Sequence, residues 1–137
     1  MDRRVKYTRM VLNESLIRFL EIKDIAKITV TQICKDADIN RSTYYAHFTD
    51  PFDQLAQLKA ELLNDVAEYT QRIDLRQIPA IKRTYLVLKN LLEYVESKRH
   101  IFRILLEKSG DHNLQHEILR ILGEKAFAMN EDPGLSE

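Results

Sequence analysis

The chain has 137 residues, enough for one compact domain or a small module joined to a partial second one. Its 45% of hydrophobic residues is too much for a disordered chain, and 3 Gly with 3 Pro leave few turns for a hairpin-rich sheet. A formal net charge of zero excludes a generic polyanion binder, and a lone cysteine, Cys34, excludes an internal disulfide framework.

The basic residues are unevenly spread, with Arg3, Arg4, Lys6 and Arg9 set against Asp2 alone at the start. The charged start shows no signal-peptide pattern, and no run approaches the ~20 apolar residues of a membrane helix. A cytoplasmic location is therefore expected. From Tyr7 to Ile22, Leu12, Leu16, Phe19 and Leu20 recur at helical spacing, with Asn13, Glu14 and Arg18 opposite. Lys6 and Arg9 lie at the start of this helix, as a solvated end or as a grip on phosphate. Glu21 to Ile28 reads as a connection.

Two short helix signals follow, separated by only a few residues. In Thr29-Val30-Thr31-Gln32 the Thr and Gln three apart suit a reciprocal capping box, and Val30, Ile33, Cys34 and Ala37 share one face. Cys34 is thereby expected to be a small core residue. Asn40 is a good N-cap for a second helix running to Phe48. The pair has the form of a helix-turn-helix. On the second helix Tyr44 and Phe48 stack one turn apart and face the first. Arg41, Ser42 and Tyr45 point away, with Thr43, Ala46 and His47 on the flanks. Such a face suits DNA: hydroxyls bind phosphate oxygens, Arg donates two bonds to guanine O6 and N7, and the Ala46 methyl fits a thymine methyl.

Asp50-Pro51-x-Asp53 then opens a longer helix, expected to end near Ile73, with Phe52, Leu55, Leu58, Leu62, Val66 and Tyr69 along one side. Asp74 to Pro79 breaks the pattern. The next helix, Ala80 to Ser97, is expected to turn Ile81, Tyr85, Leu88, Leu92 and Val95 inward, and Val87 and Leu91 give it apolar character on a further face. Ile101 to Leu106 predicts a short helix closed by Gly110, and His112 to Ala128 a last one with Leu114, Ile118, Ile121 and Leu122 on a stripe. Gly123 interrupts that helix at about 1 kcal/mol relative to Ala, and Asn130 to Glu137 looks frayed. His112 and His116 lie four apart without an identifiable third metal ligand. The expected fold class is all-α, with six or seven helices and no strand.

Residues 27–55, KITVTQICKDADINRSTYYAHFTDPFDQL, resemble the DNA-binding end of the TetR family of bacterial transcription regulators. The resemblance rests on the Lys-Ile-Thr-Val lead-in, the Ile-Asn-Arg-Ser-Thr-x-Tyr core and the His-Phe-x-Asp finish. It implies a three-helix helix-turn-helix domain over residues 1–50, then a helical ligand-binding and dimerisation domain over residues 51–137. By position, Arg41 and Ala46 match base-reaching sites, and Ser42, Thr43, Tyr45 and His47 match base or phosphate contacts. Thr29 and Thr31 match phosphate-binding positions, and Lys6 is counted with them as a candidate DNA contact. The resemblance further implies double-stranded DNA as partner, a palindromic operator, a homodimer, and release of a repressor by a small effector. Tyr69, Tyr85, Tyr94, His100 and Phe102 are the candidate pocket residues.

Three positions depart from the family pattern: Asp38 stands where the turn usually has Gly, Pro51 where a phosphate-gripping Lys is common, and the regulatory half is expected to be short. A TetR-like subgroup that resembles the chain includes a coactivator of the dihydroxyacetone kinase system that works through a partner protein. This is the alternative reading. No nucleophile–base pair, phosphate loop or metal set has convincing spacing, so neither an enzyme nor a cofactor is expected.

Overall fold

The computed structural model describes residues 2–71, 78–108 and 112–130, and every regular element among them is helical. The all-α class expected from the sequence is the class observed. Helix α1 spans Arg3–Leu20, α2 Val30–Ala37, α3 Arg41–His47, α4 Pro51–Gln71, α5 Ala80–Ser97, α6 Arg99–Arg103 and α7 His112–Asn130. A 3-10 turn, Ile25–Lys27, joins α1 to α2, and a π-helical turn, Ile104–Lys108, follows α6. The expected break at 74–77, the Gly110 cap and the frayed 131–137 end fall outside the described residues.

Helix α1 is amphipathic as its spacing predicts, but it starts at Arg3, where Asp2 caps it by accepting from Arg4 N–H, and ends at Leu20 instead of Ile22. Leu12, Leu16, Ile17 and Leu20 are buried against α2, α4 and the π turn. Helix α4 is the spine of the fold, packing on α1, α5 and α7, with Leu55, Leu58, Leu62 and Val66 buried. These residues join Ile33, Tyr44, Phe48, Leu91, Tyr94, Phe102, Ile104, Leu105 and Leu114 in one continuous core. Removing a large member such as Leu16 would cost about 2–5 kcal/mol.

Two expected inward faces are corrected. Phe52 is 57% exposed, while Pro51 is buried in its stead. At 100° per residue Pro51 falls within about 25° of the axis of the Leu55–Leu58–Leu62–Val66 stripe, and Phe52 lies about 75° off it. On α5 the buried residues are Arg83, Val87, Leu91 and Tyr94, whereas Ile81, Tyr85, Leu88 and Leu92 are exposed and Val95 is half-buried. Helical periodicity marks both stripes and ranks neither. The polar anchor across the two helices is the Tyr94 hydroxyl, which donates to Asp65 on α4 at 2.9 Å; Arg83 Nε donates locally, to the Ile78 carbonyl just ahead of α5 at 2.6 Å.

The short helix expected over Ile101–Leu106 begins two residues earlier and widens into the π turn, which buries Ile104 and Leu105 in succession. Helix α7 continues through Gly123, where no heavy atom lies within 4 Å of an added Cβ, so the glycine is not required by packing. Among the described residues, no helix is long and apolar enough to cross a membrane.

Candidate nucleic-acid interface

Helices α2 and α3 form the expected helix-turn-helix. The Thr29–Gln32 capping box closes in both directions, with Gln32 N–H donating to Thr29 Oγ1 at 3.1 Å and Thr29 N–H to Gln32 Oε1 at 3.0 Å. Asp38 ends α2 at φ 56°, in the left-handed region, where a short polar side chain is tolerated better than most. Its N–H donates towards the last carbonyls of α2, and Ile39 N–H reaches the Cys34 carbonyl at 3.0 Å. The turn is therefore built without glycine. Asn40 caps α3 by accepting from Ser42 N–H at 2.9 Å and from the Ser42 hydroxyl at 3.0 Å.

Helix α3 divides into an anchored and an open side. Tyr44 and Phe48 are fully or almost fully buried, with ring centroids 5.4 Å apart. The Tyr44 hydroxyl donates to Gln54 Oε1 at 3.0 Å, and Gln54 Nε2 donates to the Leu12 carbonyl at 2.9 Å and to Asn13 Oδ1 at 3.2 Å. Gln54, itself wholly buried, thus ties α3 to α1 and α4 at one point. Burial, reinforced by Asp50, holds the Tyr44 phenol far above its ordinary pKa, so it stays a hydrogen-bond donor. On the open side Arg41, Ser42, Tyr45 and Ala46 are exposed, and Thr43 and His47 are half-buried at the flanks.

Arg41 lies along Tyr45, its Nη2 donating to the phenol oxygen at 3.3 Å with the guanidinium 5.9 Å from the ring centroid. That hydrogen bond raises the Arg41 pKa further, so the group is a fixed cation. Tyr45 is held in turn edge-on to Tyr44, with centroids 5.6 Å apart. The result is a cation and a phenol presented together from an immobile base. Thr29, Thr31 and Lys6 are exposed as well, the first with its hydroxyl already used in the cap of α2. Arg9 is different. It turns inward over the Phe48 ring at 4.8 Å, donates to Gln57 Oε1 at 3.0 Å and pairs with Glu61. It braces α1 against α3 and α4, which leaves Lys6 as the solvent-facing member of the pair.

Ser15 and Asp36, which sequence patterning left unassigned, and Arg18, placed only on the polar side of the first helix, tie α1 to α2. The buried Ser15 hydroxyl donates to Asp36 Oδ2 at 2.7 Å, and Arg18 reaches the same oxygen through Nη2 at 2.6 Å and Nε at 3.2 Å. The Ser15 hydrogen bond, with Arg18 second, holds the Asp36 carboxyl below its usual range. No local signal announces this cluster, because its members are 18 and 21 residues apart. Cys34 is buried in the core, and burial pushes its thiol pKa up, which suits an inert core residue.

Of the candidate pocket residues, Tyr69, Tyr94 and Phe102 come together, with Tyr69–Tyr94 centroids at 4.8 Å and Tyr94–Phe102 at 6.0 Å. Tyr85 lies instead on the outer side of α5. His100 is exposed on α6, its Nε2 3.3 Å from Glu21. The expected five-residue set is thus split between an aromatic core and two surface positions. Among the described residues no three His, Cys, Asp or Glu side chains cluster as metal ligands do, and the His112 side chain is outside that set.

No family model and no curated protein matches the chain. The fold is similar to the crystal structure of a provisionally assigned transcription regulator from Lactobacillus plantarum, with a TM-score of 0.57 and 16% identity, over 88% of this chain and 70% of that one. At that identity the likeness concerns the fold alone, an all-helical architecture.

Proposed function

We propose that the chain is a TetR-like, DNA-binding transcription regulator whose α3 reads a palindromic operator in the major groove. The observation that carries this reading is the division of α3. Tyr44 and Phe48 are locked into the core, while Arg41, Ser42, Tyr45 and Ala46 stand open on a rigid base. In this reading Arg41 donates to guanine, Ala46 packs on a base methyl, and Ser42, Thr43, Tyr45 and His47 contact bases or phosphates. Thr29, Thr31 and Lys6 hold the backbone on either side. Residues 1–50 act as the reading head and residues 51–137 as the regulatory half. Two copies read the two half-sites, about 34 Å apart.

The protein works in the bacterial cytoplasm as a repressor released by a small effector. The effector enters around Tyr69, Tyr94 and Phe102, where α4, α5 and α6 meet, and moves α4 relative to the head. Selection of bound duplexes from a random pool, with the mass of the complex measured alongside, tests the reading. It expects a palindromic consensus and a mass of two chains per duplex. Absence of any preference over random DNA at about 100 mM salt defeats it.

A second reading, a coactivator acting through a partner protein, draws on two features beside α3. Asp38 places a carboxylate in the turn, and Pro51, buried, supplies no cation for the DNA backbone. Co-purification of a stoichiometric partner that tolerates Arg41→Ala would favour it over DNA reading.

A further inference from the structure

Helix α5 carries a second apolar stripe that no element among the described residues buries. Ile81 is 88% exposed, Tyr85 63%, Leu88 46% and Leu92 65%. Their spacing of four, three and four residues is that of a coiled-coil seam. The seam lies some 140° around the helix from the buried Arg83–Val87–Leu91–Tyr94 stripe, counting 100° per residue. One stripe is occupied by α4 and α6, and the other has the periodicity that a single helix would fill.

The charges beside the seam say which helix. Lys82, Lys89 and Glu96 follow one another at seven-residue steps along one edge, base in the first turn and acid in the last. That order opposes the dipole of α5 itself, which favours acid at the N-terminus and base at the C-terminus. An antiparallel neighbour of the same sequence reverses the disadvantage. It sets Lys82 beside the partner's Glu96 twice over, an acid that in one chain pairs with Arg99 at 3.5 Å. Leu88 meets the partner's Leu92, Tyr85 meets the partner's half-buried Val95, and Ile81 falls just past the end of the partner's α5. Lys89 then lies near the two-fold axis, its charge moderated by Glu93, 4.0 Å away on the same helix. A parallel, in-register pair would leave Lys82 and Glu96 about 21 Å apart along the axis.

We propose that this seam is a homodimer surface, formed by antiparallel pairing of α5 with α5 of a second copy. The proposal rests on the two-copy reading above and supplies its contact face. Its size sets its strength. One 18-residue helix is about 27 Å long, and a seam of four side chains falls short of the roughly 800 Å² per partner of a standard interface. Pairing in free solution is therefore in the range of about 1–100 µM, and tightens when two heads on one duplex hold the copies at millimolar effective concentration.

Sedimentation equilibrium of the full chain without DNA, from 1 µM to 1 mM, tests this independently of operator binding. A concentration-dependent dimer is expected. Leu88→Glu with Leu92→Glu should weaken it more than a hundredfold, with circular dichroism checking the fold; Leu88→Ser with Leu92→Ser replaces that pair if folding fails. Lys82→Glu alone should weaken the dimer roughly three- to tenfold, and Lys82→Glu with Glu96→Lys should restore it. A chain that stays monomeric to 1 mM, including one that instead captures a different protein, overturns the proposal. So does a dimer indifferent to the seam, or a charge exchange that does not rescue. A monomer that still selects a palindrome overturns the seam and leaves DNA reading standing.

Discussion

Helices α3 and α5 pose the same question to a reader of the sequence, and they answer it differently. Both carry aromatic and aliphatic residues on more than one side. In α3 the inward pair, Tyr44 and Phe48, stands out because Arg41 and Ser42 mark the other side as polar. In α5 the two stripes are nearly equal in apolar content, and the structure buries the one holding an arginine. Contrast between faces, rather than hydrophobicity alone, makes a helix legible. Where contrast is missing, periodicity does not say which face meets the core.

Substitutions can break or sharpen this comparison. The largest effect is expected at Tyr44→Ala, which should cost about 3–5 kcal/mol in urea unfolding, whereas Tyr45→Ala, one residue on, should leave the unfolding midpoint within about 0.5 kcal/mol of wild type. Equal losses would mean that α3 has no open side. Next comes Gln54→Ala, which strands the buried Tyr44 hydroxyl and should cost about 1–3 kcal/mol. A small loss would place the anchoring of α3 in Phe48 and not in the Tyr44–Gln54–Leu12 chain.

Arg41→Ala should weaken binding to the selected operator roughly tenfold to a hundredfold in a titration at fixed salt, with thermal stability unchanged. Asp36→Asn should lower stability by up to about 1 kcal/mol near neutrality, since the site is partly exposed. The sign with pH follows from its lowered carboxyl pKa. The contribution is present above the ordinary aspartate value near 3.8 and is lost as pH falls through the lower folded value. The gap between wild type and Asp36→Asn should therefore close in acid. The smallest effect is expected on α5, where Ile81→Ser should change monomer stability by less than about 0.5 kcal/mol and Val87→Ala by several times that.

The first fifty residues were more legible than the rest of the chain for a local reason. Their capping box, the N-cap at Asn40 and the Asp50–Pro51–Asp53 start are all interactions within four residues, and each is present as hydrogen bonds. The aromatic cluster of Tyr69, Tyr94 and Phe102 was only partly legible, because its members are brought from three helices and Tyr85 and His100 share their chemistry without their location. Arg9 illustrates the same limit. Its neighbours in the chain suggest a solvated or phosphate-facing cation, and only packing shows it lying on Phe48.

The sequence by itself determined the all-helical class, the capping box at Thr29–Gln32, the caps at Asn40 and Asp50, and the open side of α3, because these follow from short-range hydrogen bonding and from contrast between polar and apolar faces. Tertiary structure alone decided which stripe of α5 is buried, that Pro51 and not Phe52 enters the core, and that Ser15, Arg18 and Asp36 close on one another. Each of those choices depends on a partner far away in the chain. Periodicity shows that a face is apolar; it does not show what the face meets.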